Sequence, residues 1–205
     1  MPTNMYRGSK TWSYDYPEVI ATEEGLRSPR MATIDLDYLP QNSDGQKIIK
    51  PGHFISLISL AAGSLGRIFP ASRAIVATAS GGNSIVVKDA SVFRVGDTLR
   101  LGFTGASNLG TISAINLQTN TLTLSAVTST ALAIGGVVNA LQGGDIANLL
   151  GLVVSAIDIN KDNNDIAGYT SATVYLKRLQ IWTPELESKF PEITAFRPVA
   201  VAEYP

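Results

Sequence analysis

His53 is the only histidine in the chain, and there is no cysteine. A serine-hydrolase triad would have to use that one imidazole, yet no G-x-S-x-G turn presents a nucleophile. Without a second His or any Cys, a transition-metal site lacks its usual ligands. His53 therefore reads as structural or surface. The richest oxygen cluster is "DINKDNND", Asp158 to Asp165. It superficially resembles a calcium loop, with Asp158, Asn160 and Asp162 at alternate positions. The sixth position is Asn163 instead of the turn-forming Gly, and the twelfth is Tyr169 instead of the bidentate Glu. A plain hairpin tip fits better, because Asn and Asp tolerate turn dihedrals. "TGASNLG" and "AAGSLGR" are Gly-rich but lack the Gly-Lys-Ser/Thr ending of a phosphate loop, so both are expected to be turns. Asp97 and Asp145 could do acid–base work only if folding brought a second acid beside them. The expectation is no catalytic residue, no metal, no cofactor and no enzyme.

The chemistry that remains is adhesion. Trp12, Tyr14 and Tyr16 recur with a period of two, so an extended backbone puts all three rings on one face. The surrounding 1–30 segment is polar, carries Pro2, Pro17 and Pro29, and offers no local core. It reads as an extended N-terminal arm whose rings either fold back or anchor a partner, Trp and Tyr being common hot-spot residues.

Composition narrows the partners. The chain has 205 residues, 16% of them charged, with a formal net charge of -1. That charge content is below the usual quarter or so. No basic excess exists to grip nucleic acid or an anionic membrane, so neither is an expected partner. The N-terminus lacks the apolar segment of a signal peptide. Leu101 to Gly144 contains no Asp, Glu, Lys or Arg, but Thr, Ser, Asn and Gly interrupt it throughout. No window of about 18 residues is apolar enough to span a bilayer.

The elements that must position these residues read as strands. "HFISLISL" follows the turn Lys50-Pro51-Gly52, and "AAGSLGRIFP" reads as another turn region. Short strands are expected at 74–79, 84–88, 98–103, 110–117, 121–124 and 136–141, with turn signals between them. This spacing suggests a small barrel or sandwich, with Phe93 and Phe103 in its core. "LLGLVVSAIDI" and "SATVYLKRLQIW" read as a hairpin joined by a long polar loop. "TPELESKF" reads as one short helix capped by Thr183, with Pro184 at its first position and Pro191 stopping it. No helix is long enough for a crossover, which argues against a parallel α/β sheet. The chain thus divides into an arm (1–30), a β-rich base domain (31–70 plus 141–205) and an inserted β-module (71–140). The module's ends should lie together, because the base domain must continue across it.

The inserted stretch resembles a β-module that recurs in tailed-phage structural proteins. Its marks here are "IVV" at Ile85 to Val87, "DASVF" at Asp89 to Phe93, "VGDTL" at Val95 to Leu99, Gly110 to Ile115, "TNTLTL" at Thr119 to Leu124, and "GGVV" at Gly135 to Val138. The flanking "KPGHFISLIS", the two longer strands and "TPELE" resemble the head-decoration (cement) proteins of lambda-type phages. The chain departs from them at Lys177-Arg178, where members often have Gly. The resemblance implies a decoration-type base domain and a homotrimer on the outer surface of the virion's capsid. It also implies the major capsid protein as partner and an arm that orders on binding. Two other readings stay open. One is a carbohydrate- or host-surface-binding module, which would show exposed aromatics. The other is a hydrolase with no recognisable motif.

Overall fold

The computed structural model describes residues 27–39, 46–103, 107–154, 156–159 and 165–195. Among the described residues strand accounts for 41% and helix for 10%, so the fold is mainly β. Two curled sheets and two small strand pairs make up the fold.

The first sheet has five strands in the order β1 (Arg27–Thr33), β13 (Asp165–Tyr169), β11 (Leu149–Leu152), β3 (Phe54–Leu57) and β4 (Gly66–Ile68). Just beyond β1, Ile34 bridges Gly66 and Asp35 N donates to Gly66 O at 2.8 Å, so the two ends of this sheet approach each other. Neighbouring residues along its strands go to opposite cores. Phe54, Leu149, Leu152 and Phe69 pack on one side, while Ile55, Leu150, Val153 and Ile68 pack on the other. A sheet buried on both faces needs continuous apolar runs, which is why "LLGLVV" shows no alternation.

The second sheet has six antiparallel strands, in the order β5 (Ala71–Arg73), β10 (Val137–Ala140), β7 (Thr98–Leu101), β8 (Asn108–Asn116), β9 (Thr121–Leu124) and β6 (Ser84–Val86). Ala74 bridges Val87, and Lys88 N donates to Arg73 O, so the outer strands meet and the sheet curls into a barrel. Ile85, Leu99, Leu109, Ile112, Leu122 and Val138 are buried in one core cluster. Phe93 and Phe103 are buried as well. Ala71 stands directly across from Asn139, so the barrel's ends are neighbours.

Several expectations change. Arg27 to Arg30 belong to strand β1, not to an arm, and the register slips between Arg27 and Met31. Pro29 lies in that slip, on an edge strand, where a missing N–H is tolerated. "GRI" within the expected turn region is strand β4. The two long strands do not form one hairpin. β11 pairs with β3 and β13, whereas β12 (Ile157–Ile159) leaves to pair with β2 (Lys47–Ile49). Most of "SATVYLKRLQIW" is not strand: β14 (Ala172–Val174) leads into a 3-10 turn at Leu176–Arg178. β14 pairs in parallel with β15 (Ile193–Ala195). The 3-10 turn and helix α1 (Pro184–Lys189) together supply the crossover that a parallel pair needs. Thr183 Oγ1 caps α1 by accepting from Leu186 N, and Leu186 is fully buried. Phe190, just past the helix, stacks on Phe54 with centroids 5.9 Å apart.

Two glycines set how closely β11 and β13 approach. A Cβ on Gly151 would lie 2.6 Å from the carbonyl carbon of Gly168, and Gly168 faces Gly151 in the same way. Neither backbone can yield without breaking the ladder. Gly168→Ala should therefore destabilise the protein by about 3 kcal/mol, the upper end for overpacking. Urea unfolding followed by circular dichroism would show it as a fall in midpoint at unchanged slope.

Candidate functional site: the joint between the two sheets

The polar side chains buried most deeply lie where the five-stranded sheet meets the barrel. Arg67 stands on β4 with 0% of its surface exposed. Its guanidinium donates to Asp97 from Nη1 to Oδ1 at 3.0 Å and from Nη2 to Oδ2 at 2.8 Å. Nη1 also donates to Gln142 O, and Nη2 to Val92 O. The face of Tyr38 lies 4.1 Å from the Arg67 guanidinium carbon, and Arg94 approaches the same ring at 4.8 Å. Asp97 reaches its place because Gly96 takes φ +94°, a conformation open to Gly. Its Oδ2 also accepts from Arg94 N, which fixes the turn.

His53 immediately precedes β3 and is 4% exposed. Its Nδ1 lies 2.9 Å from Lys50 O, and its Nε2 lies 2.9 Å from Asp89 Oδ2 in the loop after β6. Asp89 Oδ1 accepts from Ser91 N and Ser91 Oγ. Burial pushes the Asp89 carboxyl up. The hydrogen bond and charge of His53, the Ser91 hydroxyl and Lys50 more than offset this, and hold it well below the usual carboxylate range. The neighbouring Lys88 ammonium is lowered, chiefly by burial and also by Arg73, against the pull of Asp89. Its Nζ donates to Leu179 O at 2.8 Å.

A third set of bonds fastens the C-terminal segment. Gln180 Oε1 accepts from Phe54 N, while its Nε2 donates to Phe69 O and Ala71 O. Arg73 donates to Gly135 O and Trp182 O. Barrel, base sheet and C-terminal segment are thus tied side chain to main chain. A linker in place of the barrel would leave Arg67 and His53 without their carboxylates.

The expected chemical residues are dispersed. Asp97 meets Arg67 and not a second acid. Asp145 caps a 3-10 turn by accepting from Ala147 N. Asp158 sits exposed on β12, while Asn160, Asp162 and Asn163 lie outside the described residues. Among the described residues, no group of three or more His, Cys, Asp and Glu could hold a metal ion. Trp12, Tyr14 and Tyr16 also lie outside the described residues. The sequence reading missed Arg67. The available signal was a lone charge between Gly66 and the apolar pair Ile68-Phe69.

The outward surface carries apolar side chains. Thr78 bridges Leu132 and Ala74 N donates to Gly136 O, which sets Val76 across from Ile134. These two are 50% and 69% exposed, and Val127 on the loop after β9 is 63% exposed. At the β3–β4 turn, Leu60 and Leu65 are exposed too. No protein-family model, curated protein or solved structure matches this chain.

The joint generates two predictions. Asp97→Ala leaves a buried guanidinium uncompensated and should cost about 3–5 kcal/mol of stability. The double variant Arg67→Met/Asp97→Ala should recover much of that loss in the same urea titration. For Asp89, the folded carboxyl titrates below its unfolded counterpart. Its stabilisation is present above about pH 4, the ordinary Asp value, and is lost as pH falls through the folded value. Asp89→Asn should therefore melt below wild type at neutral pH, and the gap should close in strong acid.

Proposed function

We propose that this chain is a structural decoration protein that binds the outer surface of a tailed-phage head as a homotrimer and stabilises it. The resemblance of the barrel and its flanks to cement proteins supplies the identity of the target. One structural observation supports a binding role: the polar side chains described above serve the joint, while Val76, Val127, Ile134 and Leu60 stand in solvent. Such a surface gains buried area on assembly, and a ligand that binds only the intact shell stabilises that shell by mass action. The host-surface reading wants exposed rings on the barrel, but Phe93 and Phe103 are 4% and 7% exposed. The hydrolase reading finds no supporting cluster among the described residues.

In this reading the partner is the major capsid protein, and the arm with Trp12, Tyr14 and Tyr16 adds as a strand to one of its sheet edges. Ordering such an arm costs about 1–2 kcal/mol of backbone entropy per residue, which ring burial has to offset. Trp12→Ala should weaken attachment to capsids by about 2 kcal/mol or more, read from co-sedimentation isotherms, with the melting temperature of the free protein unchanged. A fall in melting temperature at constant capsid affinity would mean that the rings pack on their own protein. Failure of the wild-type chain to co-sediment would remove the decoration reading.

A further inference from the structure

The ladder between β5 and β10 runs on past its last paired residues. The same register joins Ala74 to Gly136, Thr78 to Leu132 and Gly82 to Thr128 through main-chain hydrogen bonds. Midway along this ribbon, Gly136 N donates to Ala133 O and Gly135 takes φ +81°, so the chain turns at Ile134. Opposite it the chain bends at Ile75 and Val76. Turn and bend carry Ile134 and Val76 out to solvent, while Thr78 and Leu132 beside them stay buried. Ile75, Ala77, Ala131 and Ala133 are exposed around them. Exposed turns usually take Gly, Pro, Asn, Asp or Ser. A branched hydrocarbon at the tip serves neither the turn nor the core, and a local rule broken without a structural gain marks a functional place.

The ribbon also carries no charge. Neither 74–87 nor 101–144 contains Asp, Glu, Lys or Arg. Arg73, at the foot of the ribbon, is committed to Gly135 O and Trp182 O. The barrel's other bonded charges serve the joint or its own wall: Asp97 meets Arg67, Lys88 meets Leu179 O, and Arg100 meets Asn139 and Gly144 O.

We propose that this ribbon, tipped by Val76 and Ile134, is a contact surface between copies of this chain. The lack of charge selects the occupant. Nucleic acid, an anionic membrane or a charged protein face would bury its ions here with no counter-charge, which is unfavourable. The surface that fits is another apolar one without charge. The ribbon of a second copy is such a surface, and copies with a net charge of -1 do not repel each other strongly at long range. The area agrees. Ile75, Val76, Val127 and Ile134 offer about 400 Å² per copy, the size of patch that marks an interaction site. With the alanines between them, two copies bury about 1,200 Å² in total, the lower bound for a specific interface. The contact rests on the self-assembly part of the reading above, names its surface, and needs no capsid.

Sedimentation velocity of the full chain without capsids tests it. The wild type should assemble as its concentration is raised toward about 1 mM. Raising the salt from about 0.1 M to about 1 M should leave that association in place, since it contains no ion pair to screen. Ile134→Glu and Val76→Lys, both at exposed positions, should keep the wild-type circular dichroism spectrum. Each should raise the dissociation constant at least about thirtyfold, the loss expected at a hot spot. Leu60→Glu, on the exposed turn between β3 and β4, should not change it. A wild-type chain that stays monomeric up to about 1 mM overturns the proposal without any variant, and so does dissociation by salt. Association lost in Leu60→Glu but kept in both ribbon variants overturns it as well. Co-sedimentation judges the decoration reading separately: a chain that assembles alone but does not bind capsids keeps this contact and removes that reading.

Discussion

The bidentate pair between Arg67 and Asp97 is the constraint around which the rest of the structure is arranged. A guanidinium and a carboxylate with 0% and 3% side-chain exposure have given up nearly all their hydration. Desolvation on that scale costs several kcal/mol per ion and is recovered only with good geometry and further hydrogen bonds. The structure supplies both: the fork-to-fork contact, two carbonyls on the guanidinium, and the ring of Tyr38 over it. Nε is still left without a partner, as is Ser56 Oγ directly across the ladder. Neither sheet can reach its native form without the other, because each contributes one charge. The two should therefore fold and unfold together.

That coupling explains which parts of the fold could be read from the sequence. Strands whose partners are close in the chain left clear local patterns. β9 is found at Thr121–Leu124, the bounds expected for it, with Asn120 before it in the left-handed conformation. Helix α1 was legible because Thr183, Pro184 and the acidic first turn are capping signals that act within a few residues. The joint was not legible. Arg67 and Asp97 are 30 residues apart, and His53 and Asp89 are 36 apart, with no local signal linking either pair. Buried charge is rare, so a lone Arg beside Gly66 read as a turn. β13 was hidden because Gly168 looks like a loop residue until β11 is seen to press Gly151 against it.

The hairpin expectation for the later strands failed for a related reason. Apolar continuity over 149–159 suggested one long strand, since a strand buried on both faces and a run that changes sheet look alike in sequence. The chain breaks after Leu152 because Val153 N donates to His53 O and Val153 O accepts from Gly52 N. These bonds tie it to the turn before β3. β12 then starts a new pair with β2. The turn at Lys50 to Gly52 thus holds three things at once: the carbonyl facing His53 Nδ1, the contact with Val153, and Gly52 O as acceptor from Gln180 N. It is the local point at which the base sheet, the C-terminal segment and the His53–Asp89 contact meet.

In the decoration role proposed above, the load that the chain can carry is limited by its own weakest seam. Hydrophobic contact at the barrel's outer turns, around Val76 and Ile134, would pull on the barrel, whereas contact through the base or the arm would pull on the five-stranded sheet. The load between them crosses the joint. Salt screens charges exposed to solvent far more than buried ones, so a joint built on the fully desolvated Arg67–Asp97 pair keeps its strength as ionic strength rises. Asp89, with 21% side-chain exposure, is the more accessible partner of the two carboxylates. The seam therefore has a fully buried side at Arg67–Asp97 and a partly exposed side at His53–Asp89, and the second lies against the turn that also anchors the C-terminal segment.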